Sequence, residues 1–207
     1  MKDMTVRTMT ALGRTKVRIE PEEGEPFVIS QKDAFLLGIK EGALLEQDVC
    51  EEIGQILRRE CLRRCGMMLQ SRDYSASALE ERLSRAGFPS SVYLRVIEEL
   101  KAARYVDEER MAEDFVRSHL KDRSRKRIEA DLAGKGLSEE CIRKAFLTVG
   151  EEHDLKAAER EQILRLLEKK HFDPEKAGWE ETMKIRAFLG RRGFSGEAVR
   201  DALEGEF

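Results

Sequence analysis

Long apolar runs are missing from this 207-residue chain. No stretch approaches the ~18 consecutive apolar residues needed to cross a bilayer. The opening MKDMTVRTMT has no apolar segment of the secretory kind. Histidine is scarce: His119, His153 and His171 are the only three, and they are scattered. A catalytic triad or a histidine-based zinc site has little to draw on. The four cysteines (Cys50, Cys61, Cys65 and Cys141) form no CxxC motif. Cys61 and Cys65 lie four apart on one helix face, where small buried thiols are expected and neither a metal site nor a disulfide is. Tyr74 and the single Trp179 are expected to pack and not to stack on a ligand. Phosphate-binding glycine loops, HExxH and GxSxG are all absent. Carboxylates are abundant, but as EE doublets on predicted solvent faces, which carries no weight for acid–base chemistry. Neither an enzyme nor a cofactor is expected, and the setting is expected to be cytoplasmic, away from membranes.

What the chain has in excess is charge. Charged residues make up 38% of it, well above the usual quarter or so. Lys plus Arg total 38 and Asp plus Glu total 41, leaving a net charge of −3. That balance excludes a polybasic nucleic-acid coat and a disordered acidic tail. It suits helices with broad, ion-paired solvent faces.

The first 48 residues differ from the rest. Thr5–Ala11, Lys16–Ile19 and Phe27–Ser30 carry β-branched residues and partial alternation, with a turn over Glu20–Pro26. They predict a β-hairpin or three-stranded edge, then a short helix near Asp33–Leu37. Beyond residue 49 the pattern is helical, interrupted only by Pro89 and Pro174.

Within the helical part a pattern recurs. Leu79-Glu-Glu-Arg-Leu83-Ser-Arg-Ala-Gly87-Phe88 is followed by Ile128-Glu-Ala-Asp-Leu132-Ala-Gly-Lys-Gly136-Leu137 and by Ile185-Arg-Ala-Phe-Leu189-Gly-Arg-Arg-Gly193-Phe194. The glycines are 49 and 57 residues apart. Each copy predicts a helix ended by a glycine at positive φ, then an apolar residue entering the core. Ser90, Ser138 and Ser195 are candidate caps for the helix that follows. Upstream helices are expected over Glu52–Gln70, Asp107–Leu120 and Glu151–Lys170. The fold class expected is mainly α, with three tandem three-helix repeats in an elongated, curved array behind a small β-rich extension. The boundaries are 1–48 for the extension and 49–106, 107–150 and 151–207 for the repeats.

Charge is uneven along this array. Residues 61–150 carry 18 basic and 15 acidic groups, whereas both flanks are net acidic. Five basic residues against one acid fill Lys121-Asp-Arg-Ser-Arg-Lys-Arg127, and a second cluster holds Arg58, Arg59, Arg63 and Arg64. Such a run is as often a solvated helix face as a binding surface. On the second reading the partner- or DNA-binding candidates are Arg63, Arg64, Arg72, Lys121, Arg123, Arg125, Lys126, Arg127 and Lys135, facing phosphate or an acidic protein surface.

Helix–glycine turn–helix is also the outline of helix–turn–helix DNA readers. In those the second helix offers its first residues to base edges. Here these are Pro89-Ser-Ser, Ser138-Glu-Glu and Ser195-Gly-Glu, two of which would aim carboxylates at DNA. The outline fits and the chemistry does not. A DNA reader and a repeat scaffold for another partner remain the alternatives.

The stretch Tyr105-Val-Asp-Glu-Glu-Arg-Met-Ala-Glu-Asp-Phe-Val116 with Arg125-Lys-Arg-Ile128-Glu-Ala-Asp-Leu132-Ala-Gly-Lys-Gly136-Leu137 strongly resembles the RecX regulatory family. Tyr74-Ser-Ala-Ser-Ala-Leu79-Glu-Glu-Arg-Leu83 resembles that family's first repeat motif. The resemblance covers about residues 60–205. It departs at Ser124-Arg-Lys-Arg, where many members carry a glycine in the short turn. The resemblance implies a non-enzymatic, monomeric modulator of the RecA recombinase. Such a protein would bind the RecA–single-stranded-DNA filament in its groove, lower ATPase and strand-exchange activity, and block filament growth. Whether single-stranded DNA is touched directly is left open.

Overall fold

The computed structural model describes residues 3–204. Its chain divides into two compact units, meeting in sequence at Asp107 and Glu108.

In the first unit, alternation builds a sheet. Strands β1 (Met4–Leu12), β2 (Lys16–Pro21), β3 (Phe27–Ser30) and β4 (Leu44–Leu45) lie in the order β3-β2-β1-β4, all antiparallel. The sheet thus has four strands where the sequence predicts two or three, because the fourth is only two residues long and has no room to alternate. Val6, Val17, Ile19, Phe27 and Ile29 are buried among Cys50, Ile53, Ile56 and Leu57 of helix α2 (Gln47–Leu69). The short helix α1 (Gln31–Leu36) lies between β3 and β4 in the chain. Helix α2 starts five residues before the predicted Glu52, and it serves two cores. Its second half places Cys61 and Cys65 against Leu79 and Leu83 of α3 (Ala76–Arg85) and Val96 and Ile97 of α4 (Ser90–Ala102). These two thiols and that of Cys50 are buried, as small apolar groups are expected to be; Cys141 is half-buried.

The described residues of the second unit form six helices. Helices α5 (Glu108–His119), α6 (Arg125–Ala133) and α7 (Glu139–Glu152) enclose Ala112, Val116, Ile128, Leu132, Phe146 and Val149. Helices α8 (Leu155–Lys169), α9 (Trp179–Arg191) and α10 (Gly196–Glu204) enclose Ile163, Leu167, Ile185, Leu189, Phe194 and Val199. Truncating a fully buried leucine such as Leu132 to alanine typically costs about 3 kcal/mol, which sets the scale for each small core. The predicted helix over Glu151–Lys170 is in fact broken. His153 turns extended, and the Asp154 side chain accepts from the Ala157 N–H to start α8.

Helix ends follow the repeat. Gly87, Gly136 and Gly193 have φ of 87°, 84° and 87°. The next residue in each case donates back to the last helical turn: Phe88 to Leu83, Leu137 to Leu132, Phe194 to Leu189. This double-bonded ending satisfies carbonyls that would otherwise be orphaned. Arg104 and His171 end α4 and α8 in the same way, with φ of 57° and 53° and no glycine. Ser138 caps α7 and the Ser195 hydroxyl accepts from the Ala198 N–H, as predicted. Ser90 does not cap α4; Pro89 holds that position, and the Ser90 N–H and hydroxyl donate to the Glu25 carboxylate, each at 2.7 Å. Trp179 is not packed either: it is 78% exposed at the start of α9.

Candidate anion-binding cleft

The loop from Lys121 to Ser124 enters α6 beside the ends of α8 and α9. Ser124 is 3% exposed. Its oxygen accepts from the Arg127 N–H and caps α6, and its hydroxyl donates to the Arg192 carbonyl at 2.6 Å. Ser124 is therefore both the cap of α6 and a tie to the end of α9. Gln162 of α8, 6% exposed, donates its amide to the carbonyls of Leu120 and Arg123. These bonds hold the basic loop against α8 and the end of α9.

Between these elements lies a cleft of about 420 Å³. Lys121, Arg123 and Arg127 line one side, Arg165 and Lys169 of α8 another, and Arg191 and Arg192 at the end of α9 the third. Among the described residues, Asp122 is the one carboxylate on its wall. Arg123 and Arg127 share Asp131, at 2.6 and 3.2 Å, and Arg165 pairs with Glu161 at 3.3 Å. Lys121, Lys169, Arg191 and Arg192 have no ion pair with any described residue; Arg192 lies over the Phe188 ring. Lys169 and Arg191 also occupy the last residues of α8 and α9, where a cation favours the helix dipole. Helix ends account for two of the seven cations and not for their convergence with the rest. The cleft concentrates positive potential in a concavity, which favours polyanions.

The remaining candidates are placed otherwise. Arg125 pairs with Glu129 at 2.8 Å and lies over Phe146, and exposed Lys126 stays off the cleft wall. Lys135 lies over Phe115, which Arg123 also flanks. In the first unit, Arg63 pairs with Glu60, and Arg58 with Glu99. Arg64 is half-buried, its Nε without a hydrogen-bond partner. Arg72 and Arg82 sit over the Tyr74 ring at 4.7 and 5.2 Å, and the Arg72 hydrogen bond lowers the Tyr74 hydroxyl below the ordinary phenol range. Arg165, Lys169, Arg191 and Arg192 escape the sequence reading. Their signals are an i, i+4 cation pair on α8 and a doublet just before a helix-ending glycine.

Among the described residues, no group of three or more His, Cys, Asp or Glu side chains could hold a metal ion. No described helix is long and apolar enough to cross a membrane.

Comparison with known proteins gives one consistent result. Residues 107–145 match the family model for the second three-helix domain of RecX, and residues 158–203 that for the third. Regulatory protein RecX of Chromohalobacter salexigens is 31% identical over 137 residues, covering 66% of this chain and 86% of the relative. The RecX of Clostridium perfringens is 24% identical over 186 residues, covering 87% and 84%. A crystal structure of regulatory protein RecX superposes with a TM-score of 0.62 at 16% identity, covering 98% of this chain and all of the other. RecX from Lactobacillus salivarius gives a TM-score of 0.62 at 14% identity, covering 72% and 96%. The structural likeness is one of fold.

Proposed function

Because the chain belongs to the RecX family of regulatory proteins, we propose that it is a non-catalytic regulator of the RecA recombinase. It binds the RecA–single-stranded-DNA filament, lowers ATP hydrolysis and strand exchange, and stops the filament from growing. The observation that carries this reading is the cleft built from Lys121, Arg123, Arg127, Arg165, Lys169, Arg191 and Arg192. A nucleoprotein filament is a polyanion lined with protein, and a rigid basic concavity is a device for docking on one. The first turns of α7 and α10 support the regulator over a sequence-reading transcription factor. They carry Glu139, Glu140 and Glu197, which would repel a DNA groove.

The test is single-stranded-DNA-dependent ATP hydrolysis by the cognate RecA, titrated with this protein from well below stoichiometry. The rate is expected to fall, and inhibition at low ratios indicates that growing filament ends are capped. An unchanged rate across the titration, with the protein folded, overturns the reading. Reversing Arg123 and Arg127 to glutamate is a poor probe, since it sets new carboxylates against Asp131. Lys121, Lys169 and Arg191 give cleaner variants, because each lacks an acidic partner among the described residues.

A further inference from the structure

We infer that this cleft holds the phosphate backbone of a single nucleic-acid strand, without regard to its bases. The inference rests on the filament-regulator reading and names which component of the filament this site takes.

Three observations separate a phosphate strand from an acidic protein surface. The first is uncompensated charge. Elsewhere many surface arginines sit beside a carboxylate, as Arg58, Arg63, Arg85, Arg117 and Arg186 do. Cations without an ion pair to a described residue, such as Lys126, Arg143 and Lys184, are spread apart along the sequence. In the cleft Lys121, Lys169, Arg191 and Arg192 converge without an ion pair to any described residue, and Asp122 is the one carboxylate on a wall of seven cations. The second is the character of the wall. Protein–protein interfaces centre on exposed apolar or aromatic groups. Here Phe194 is buried and Leu166 half-buried, so the exposed lining is charged: guanidinium and ammonium groups with the single carboxylate of Asp122. The third is the lack of a base reader. The Gln162 amide is engaged by the Leu120 and Arg123 carbonyls, and the Ser124 hydroxyl by that of Arg192. No exposed aromatic lines the cleft to stack a base. Arginine forks without an amide or a stacking platform beside them grip phosphate and leave bases facing solvent.

The test is fluorescence anisotropy of the full chain, without RecA, on a 5′-labelled dT oligonucleotide of about fifteen residues. Salt is varied over roughly 50–200 mM KCl. Each phosphate neutralised on a single strand contributes about −0.7 to the log–log salt slope, so three or four contacts give about −2 to −3. K121Q/K169Q/R191Q is expected to bind about tenfold more weakly, with a slope shallower by about 2. K144Q/K176Q removes two cations outside the cleft and is expected to stay within about twofold of wild type. Oligo-dA and oligo-U should bind within about threefold of oligo-dT. Equal binding by the triple variant, no strand binding at the lowest salt, or a strong base preference each overturns the inference. RecA ATPase assays on the same proteins keep the two readings apart. If the triple variant loses inhibition while the wild type binds no strand, the cleft holds RecA protein: the inference fails and the regulator stands. If the cleft binds a strand and RecA is unaffected, the inference stands and the regulator fails.

Discussion

The hydroxyl of Ser124 donates to the main-chain carbonyl of Arg192 across 2.6 Å, joining positions 68 residues apart. The same oxygen caps α6 through the Arg127 N–H. One buried side chain therefore starts a helix and fixes the basic loop to the end of α9. Ser124→Ala removes both bonds and leaves the Arg192 carbonyl short of a donor. Urea unfolding should show a loss of about 2 kcal/mol, with Ser124→Thr retaining most of the stability. A loss within experimental error would mean that water replaces the hydroxyl at no cost.

The second prediction separates backbone strain from crowding. Gly13 has φ of 71° and open space where a Cβ would go. Gly193 has φ of 87°, and a Cβ there would lie 2.8 Å from Ser124 Oγ and 3.0 Å from Lys126 Cβ. Gly13→Ala should cost about 1 kcal/mol, from the left-handed backbone alone. Gly193→Ala should cost about 2–3 kcal/mol, because the overlap adds to the strain. Gly136→Val joins the series at φ of 84°, where a β-branched residue fits poorly. Equal melting temperatures for the two alanine variants would remove crowding from the account of Gly193.

The opposite change should stabilise. Arg104 and His171 hold left-handed conformations at exposed helix ends without being glycine. Arg104→Gly and His171→Gly relieve that strain, at some cost in unfolded-chain entropy. Each is expected to raise stability by about 0.5 kcal/mol. A drop in melting temperature for both would show that their side chains hold the helix ends by other contacts.

The fourth prediction concerns acid. The Ser90 side chain, then the Ser91 and Ser90 N–H groups, hold the Glu25 carboxyl below its ordinary value of 4.5. A carboxyl lowered by folding stabilises the protein above its unfolded pKa and loses that effect as pH falls through its folded pKa. Glu25→Gln should therefore be less stable than wild type at pH 7, by well under 1 kcal/mol for so exposed a group. The gap should close below pH 4.5. A gap independent of pH would assign it to shape and not to charge.

The limits of the sequence follow from the same residues. Gly87, Gly136 and Gly193 are visible because positive φ demands glycine, and they carry the repeat. Arg104 and His171 make the same turn with residues that advertise nothing. The α7–α8 break at His153 and Asp154 has neither glycine nor proline, so the pattern runs through it. Strand β4, Leu44–Leu45, is too short to alternate and exists because β1 offers it an edge. At the cleft, Lys121 to Arg127 are dense in sequence and easily noticed. Arg165, Lys169, Arg191 and Arg192 are spread over two helices and acquire a common purpose only when α8 and α9 fold. Trp179 shows the reverse error, since a lone tryptophan is expected to pack and is instead exposed.

Two of the repeat glycines do more than turn the chain. Val28 of β3 sits against Gly87 and donates its N–H to the Gly87 carbonyl at 2.9 Å, while Ser124 and Lys126 close on Gly193. The same position in two repeats is thus a socket for whatever segment lies upstream, a strand in one case and a helix start in the other. Modules joined this way cannot be exchanged freely between relatives. A transplanted third domain would have to arrive with a small residue at its socket and meet a plug of matching shape, so the two halves of each joint should be inherited together.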